Sequence, residues 1–480
     1  MHPALLIDEV LQLIFDFCAD LPKTEPKWTY AQLARCCRAW KDPALDRLWD
    51  RLNGVGPLLA LVAKQVDEVT SDRSMARIYA DRVKRVTHQD GLRNAPAAEL
   101  LPTVFPRLES LALSFQGCMV PHEWAVSPFL QHVSVNVGFS RDTQEVLDRS
   151  NAAARLLHEV NLYAPGLRSL QVRGRMTDLL NAAVASFTQL RSVTIHGNST
   201  LAPETFAAIA TLPHLQSLEV HASHVQAEVF TDSLAPGVSC FPVLKELSIR
   251  TGGDLVSAIL PRLPTGILTK LHLDMDQCVR GPSYMKPVFA LLAQKASTSL
   301  RDLHIEDRTD LDELDVPSRP EQTPHWYTLD ILSPLARMKH LRRFVLRDPD
   351  MSDADLETLP KWWPALAHLD LGACDPEVHI PEWKSRLTPV AYSVVAKSFP
   401  GLESLSLPAL PPTGSGADGQ QTMLRSLALG EVPNAPVDAV AMVDTILTMF
   451  PDIECLDCPT VEITERFETV VRDRGQARID

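Results

Sequence analysis

The sequence predicts an α/β chain: an all-α module of three helices at 1–52, a helical connector at 53–100, and an irregular repeat solenoid at 101–480 with a parallel sheet on its concave face. Three observations carry this expectation. A short apolar phrase recurs along most of the chain. Each copy combines a two-residue and a helical hydrophobic period. The N-terminal segment, in contrast, shows helical patterning alone.

The phrase is a leucine-type residue, two variable residues, an apolar residue, one variable residue and a further apolar residue, often preceded by Pro. FPRLESLAL (105–113), LPHLQSLEV (212–220), WPALAHLDL (363–371) and FPGLESLSL (399–407) are four of thirteen copies. Their leading positions are Leu108, Leu130, Leu167, Leu190, Leu215, Leu244, Leu268, Leu300, Leu341, Leu366, Leu402, Leu424 and Ile453. The mean period is about 29 residues, within the leucine-rich-repeat range. The last two apolar positions lie two apart, as in a strand with one buried face. Helical patterns separate the copies at 203–212, 283–296, 354–363, 387–398 and 437–450, the third opened by a Ser352/Asp355 capping box. One strand and one helix cannot cover their own apolar faces, so neighbouring units must stack. The polar residue expected after each phrase occurs only as Asn198 and Cys374, and the spacing is uneven, which predicts looped insertions at 307–325, 375–386 and 408–421.

In the N-terminal module, Asp8, Gln12 and Asp16 mark one face of a first helix, and apolar residues fill an arc wider than a single core stripe needs. Thr29 with Gln32 suggests a capping box for a second helix, and Asp42-Pro43 the start of a third. About 50 residues bury too little surface to use all these side chains, so part of the excess is expected to meet a partner.

Composition narrows the function. With 60 acidic and 46 basic residues the net charge is −14, which argues against nucleic acid as the main partner. No apolar run is long enough for a bilayer, so no membrane partner is expected. The N-terminus lacks the basic region and cleavage site of a secretory signal, and nine scattered cysteines suit a reducing compartment, so cytosol or nucleus is expected.

LIDEVLQLIF (6–15) and LARCCRAWKDPALDRLW (33–49) resemble the F-box pattern, with matches at Leu6, Glu9, Val10, Leu11, Ile14, Phe15, Leu33, Cys37, Trp40, Leu48 and Trp49, and Ile7 where the family carries Pro. The whole chain is similar to the F-box/leucine-rich-repeat proteins of mushroom-forming fungi. That resemblance implies a substrate receptor of a cullin-RING ubiquitin ligase, with the F-box on a Skp-type adaptor and the solenoid holding a target protein. Leu6, Ile7, Glu9, Leu11, Ile14, Cys37 and Trp40 are then the expected adaptor-binding residues. The alternative within the same architecture is a scaffold acting outside any ligase.

No phosphate loop, nucleophile elbow or metalloprotease helix is found, and neither a catalytic residue, a cofactor nor a metal is expected. Cys455 and Cys458 read as packing residues of the last repeat. The variable positions flanking the last two apolar residues should face the concave surface. Six of these 39 positions hold His (132, 196, 221, 272, 304 and 368), where 15 histidines in 480 residues predict about 1.2. The expected target-binding residues are Arg173, His196, Glu219, His221, Arg250, His272, Asp274, His304, Glu306, Arg343 and Arg347. If repeats stack in register, Arg173, His196, His221 and Arg250 form a positive row suited to an acidic or phosphorylated protein segment. Asp274 and Glu306 would end that row. A competing enzymatic reading takes His272 and His304 with Asp274 and Glu306 as a metal or acid/base site.

Overall fold

All thirteen leading apolar residues are buried in the computed structural model, and each phrase runs directly into a strand. The structure describes residues 7–19, 25–58, 60, 74–88, 105–115, 125–197, 200–234, 238–276, 284–308, 327–347, 349–372, 385–409, 411, 419–429 and 438–477. Leu6, Asn198, Cys374 and most of the three expected insertions lie outside these residues. The chain divides into two units, Met1–Leu215 and Gln216–Asp480.

The first unit opens with α1 (Asp8–Ala19), α2 (Glu25–Cys36) and α3 (Arg38–Trp49). Leu11, Phe15, Tyr30 and Ala44 form their core, with Cys18, Leu33, Ala34, Trp40 and Leu48 packed around it. The Tyr30 hydroxyl donates to the Phe15 carbonyl at 2.8 Å, so the buried phenol keeps a partner. Two expected starts are corrected. α2 begins at Glu25, because Pro26 fits a first turn, and Thr29 is interior. α3 begins at Arg38 behind extended Cys37, which places Pro43 inside the helix.

Among the described residues this unit carries six parallel strands in sequential order: β1 (Arg51–Asn53), β2 (Arg85–His88), β3 (Ser110–Ser114), β4 (His132–Gly138), β5 (Ser169–Gly174) and β6 (Ser192–His196). The ladder therefore starts at Arg51, at the very end of the stretch read as the N-terminal module, and its second strand lies in the stretch read as connector, of which Ser74–Ala80 is helical. Val83, Val86 and His88 occupy the three buried positions of a further phrase, and the histidine disguised it. The connector is tied to α3: Arg82 donates to Asp42 Oδ1 at 2.7 Å and pairs with Asp46, and the Trp49 and Tyr79 rings lie 4.7 Å apart.

The second unit has nine described parallel strands, again sequential: β7 (Ser217–His221), β8 (Glu246–Thr251), β9 (Lys270–Asp276), β10 (Asp302–Arg308), β11 (Arg343–Leu346), β12 (His368–Asp370), β13 (Ser404–Leu407), β14 (Ser426–Leu429) and β15 (Cys455–Asp457). One carbonyl per repeat receives two N–H groups from the next. Arg301 O accepts from Arg342 and Arg343, and Arg342 O from Ala367 and His368, which holds the register constant. Each fully buried Leu contributes roughly 1.5–3 kcal/mol, so the ladder is held by repetition of one modest term. Buried polar plugs join successive repeats: Trp363 Nε1 donates to Leu335 O at 3.0 Å, and Gln421 Nε2 to Leu402 O at 2.7 Å.

The expected helices occur as Pro203–Ala210, Met285–Ala296, Val390–Ser398, Ala439–Met449 and a pair at Asp353–Leu356 and Leu359–Trp362, with the Ser352/Asp355 capping box present. The 21-residue helix Thr143–Tyr163, not foreseen, packs on Asp178–Ala185, and that on Pro203–Ala210. No helix among the described residues is long and apolar enough to cross a membrane.

Candidate functional site

Two surfaces carry unspent chemistry: the outer face of α1 and the polar face of the strand ladders. On α1 the apolar arc divides by direction. Leu11 (2% exposed) and Phe15 point into the module, whereas Leu13 (69%) and Phe17 (80%) face solvent, with Ile7 (48%) at the helix entrance. Leu13 and Phe17 are four apart and so share one face, and half-buried Val10 and Ile14 border it.

This redistributes the expected adaptor residues. Ile7 and Glu9 are exposed, and Ile14 and Cys37 are half-buried. Leu11 belongs to the module's core, and Trp40 packs edge-on to Phe15 with centroids 6.3 Å apart. These two support the face from behind. Leu13 and Phe17 were missed, because a wide apolar arc does not tell which side the neighbouring helices cover.

On the ladders, the last outward position aligns as expected within each unit. Arg173 pairs in register with His196 in the first unit. In the second, His221 pairs with Arg250, Arg250 with Asp274, and Asp274 with Glu306. The row therefore changes sign at Arg250/Asp274. The middle row of the second unit runs Glu219, Ser248, His272, His304, Val345, Asp370 and Ser406.

At its centre the His272 and His304 rings stack, 4.0 Å between centroids and 1° between planes. Both Nε2 atoms lie 3.8 Å from Glu306 Oε2, and Ser248 Oγ is 3.3 Å from His272 Nδ1. Burial brings the His304 pKa down to about 4, and His272 and Arg347 push the same way against Glu306 and Asp370. His304 is thus a neutral imidazole at physiological pH. Arg347 Nε lies 3.5 Å from Glu306 Oε1 and Arg343 Nε 3.9 Å from Asp302 Oδ1, so both expected arginines are engaged by neighbouring carboxylates.

Beyond this cluster the side chains shrink to Ser404, Ser406 and Ala428. The sheet face there carries a depression of about 430 Å³, flanked by Arg343, Arg347 and Asp370. Cys455 is exposed and Cys458 half-buried, so neither packs in the core as expected. Cys458 lies just beyond the three-residue strand β15.

No family model matches the chain, and no curated protein matches it. Among solved structures it is similar to the circular leucine-rich-repeat protein CroV588, at 11% identity over 79% of this chain and 43% of that one, with a TM-score of 0.30. It is also similar to an internalin (inlF) from Listeria monocytogenes, at 14% identity over 84% and 94% of the two chains, with a TM-score of 0.35. The chain spans less than half the length of the first of these. The assignment of a leucine-rich-repeat ladder rests on this chain's own phrase, register and burial.

Proposed function

We propose that this protein is a substrate-recognition subunit of a cullin-RING ubiquitin ligase. In this reading the N-terminal module is an F-box that docks on a Skp-type adaptor, and the polar face of the ladders holds a target protein. The observation that carries it is the solvent-facing apolar stripe of Leu13, Phe17 and Ile7 on a module whose own core is already closed by Leu11, Phe15, Tyr30 and Ala44. Large apolar side chains gathered in one exposed patch, rather than scattered singly, mark a surface that a partner covers. Residues 1–52 are the F-box in this proposal. Ubiquitin transfer belongs to other subunits, and the chain works in the cytosol or nucleus without a catalytic residue of its own.

For the target, two basic pairs, Arg173 with His196 in the first unit and His221 with Arg250 in the second, each favour an acidic or phosphorylated segment. In the second unit the sign change at Asp274 sets where a segment held there ends. Affinity capture with the full-length chain and with a chain lacking residues 1–52 tests the whole reading. The full-length protein should bring down a Skp-type adaptor and a cullin, and the truncated one neither. An adaptor without a cullin would instead mark a scaffold outside the ligase, and equal capture by both chains refutes the docking assignment.

A further inference from the structure

His272 and His304 occupy the same position in consecutive repeats, and the parallel register of β9 and β10 makes them direct partners. Both Nε2 atoms lie 3.8 Å from Glu306 Oε2, beyond hydrogen-bond range. Each Nε2 is sealed from solvent with no hydrogen-bond partner. A buried ring nitrogen left in this way has given up its hydration without replacement. Native interiors carry such a group where a water, an ion or a catalytic role accounts for it. Here two occur side by side, at equal distance from one carboxylate oxygen.

The three ligand atoms all lie within 4.8 Å of one another. A tetrahedral ion with bonds of about 2.0–2.1 Å holds its ligands roughly 3.4 Å apart, so the two 3.8 Å separations close by a few tenths of an ångström while the rings, parallel to within 1°, tilt so that both Nε2 lone pairs aim at one point. The surroundings suit such a closure. Arg347 engages the other carboxylate oxygen, Oε1, and Oε2 is the oxygen that faces both histidines. Ser248 Oγ stands 3.3 Å from His272 Nδ1. When Nδ1–H donates to that hydroxyl, the lone pair resides on Nε2, which is the tautomer a metal requires.

We propose that His272 Nε2, His304 Nε2 and Glu306 Oε2 form a site for a divalent first-row transition ion, with zinc the expected occupant. Two imidazoles and one carboxylate favour such an ion over magnesium or calcium, which take oxygen ligands. Three protein ligands leave a fourth position for water or for a side chain of a bound protein. The site does not depend on the docking face of α1, and either proposal can fail alone.

The full-length protein, stripped with chelator, is titrated with Co²⁺ and followed by its visible d–d bands, then back-titrated with Zn²⁺. The expected result is saturable binding of one ion per chain, with Co²⁺ displaced by Zn²⁺. Affinity should fall at least 10-fold in His272→Gln, His304→Gln and Glu306→Gln, since loss of even an outer-shell partner costs about 10- to 100-fold. Zinc X-ray absorption on the wild-type protein should show two imidazole ligands. The proposal is overturned by absence of saturable binding, by binding undiminished in the His272→Gln/His304→Gln double variant, or by a zinc shell without imidazole, the last independent of how any variant folds.

Discussion

Replacing Leu13 and Phe17 together by Asp separates the outer face of α1 from its inner one. Phe17 is 80% exposed, and an aromatic side chain offers about 200 Å² to a partner, so covering it removes roughly 160 Å² from water. At about 25 cal/mol per Å² this contributes on the order of 4 kcal/mol, and Leu13 adds about 1–2 kcal/mol. Part of that sum is offset by ordering at the interface. We therefore expect a net loss of about 3–4 kcal/mol, a fall of two to three decades in affinity for a Skp-type adaptor. Folding should change little, because substitutions at exposed positions usually stay within about 0.5 kcal/mol. Leu11→Asp is the contrasting control: it places a carboxylate among Phe15, Tyr30 and Ala44, and should unfold the module together with binding. Affinity is read by titrating recombinant adaptor against immobilised protein, and folding by circular dichroism and thermal melting. Wild-type affinity in the Leu13→Asp/Phe17→Asp protein, with its melting unchanged, refutes the assignment of this face.

Two further outcomes follow from the ladders. His304 titrates near 4 in the folded chain against an ordinary 6.5, so the unfolded chain binds the proton more tightly, and the stability it contributes is complete above about pH 6.5 and lost as pH falls towards 4. Solvent screening of this part-exposed ring keeps the span below the roughly 3 kcal/mol of the full shift, and in chelator-treated protein His304→Gln should flatten the decline in Tm across that window; an equally steep decline in both proteins contradicts it. Gly174 has φ +116°, and a Cβ there would run into the Gly138 carbonyl oxygen, backbone that cannot swing aside. Gly174→Ala should therefore cost at least about 2 kcal/mol in chemical denaturation of the intact chain, and a neutral result would show that β4 and β5 part easily.

The ladder was legible because its signal is repeated: thirteen phrases each place a Leu or Ile where the core requires one. It failed where one copy deviates, as at Val83, Val86 and His88, where a histidine stands at the third buried position. The helix Thr143–Tyr163 was missed although Asp142 caps it, accepting N–H groups from Gln144 and Glu145. Asp142 followed three residues later by Glu145 was the available signal. The starts of α2 and α3 were misplaced for the opposite reason. Local pairs such as Asp42-Pro43 resemble helix starts, while the break at Cys37 and the packing of the module decide where the chain turns.

The site shows which part of a repeat protein's chemistry can be read before its structure is known. In a ladder of constant register, residues at the same place in consecutive phrases become neighbours about 4.8 Å apart. His272 with His304, Arg250 with Asp274, and Asp274 with Glu306 could therefore be paired on paper, and each pair is found. Their state could not be read in the same way. Whether His304 carries a proton depends first on burial, and the stacked His272 ring acts in the same direction. Val345 follows His304 in the middle row, almost fully buried on a face expected to be polar, and Arg347 holds the near carboxylate from the adjoining strand's end. Burial keeps His304 neutral, with His272 and Arg347 acting the same way against Glu306 and Asp370, and neutrality is what a metal ligand needs. Register decides which side chains meet, and burial then decides what they can do.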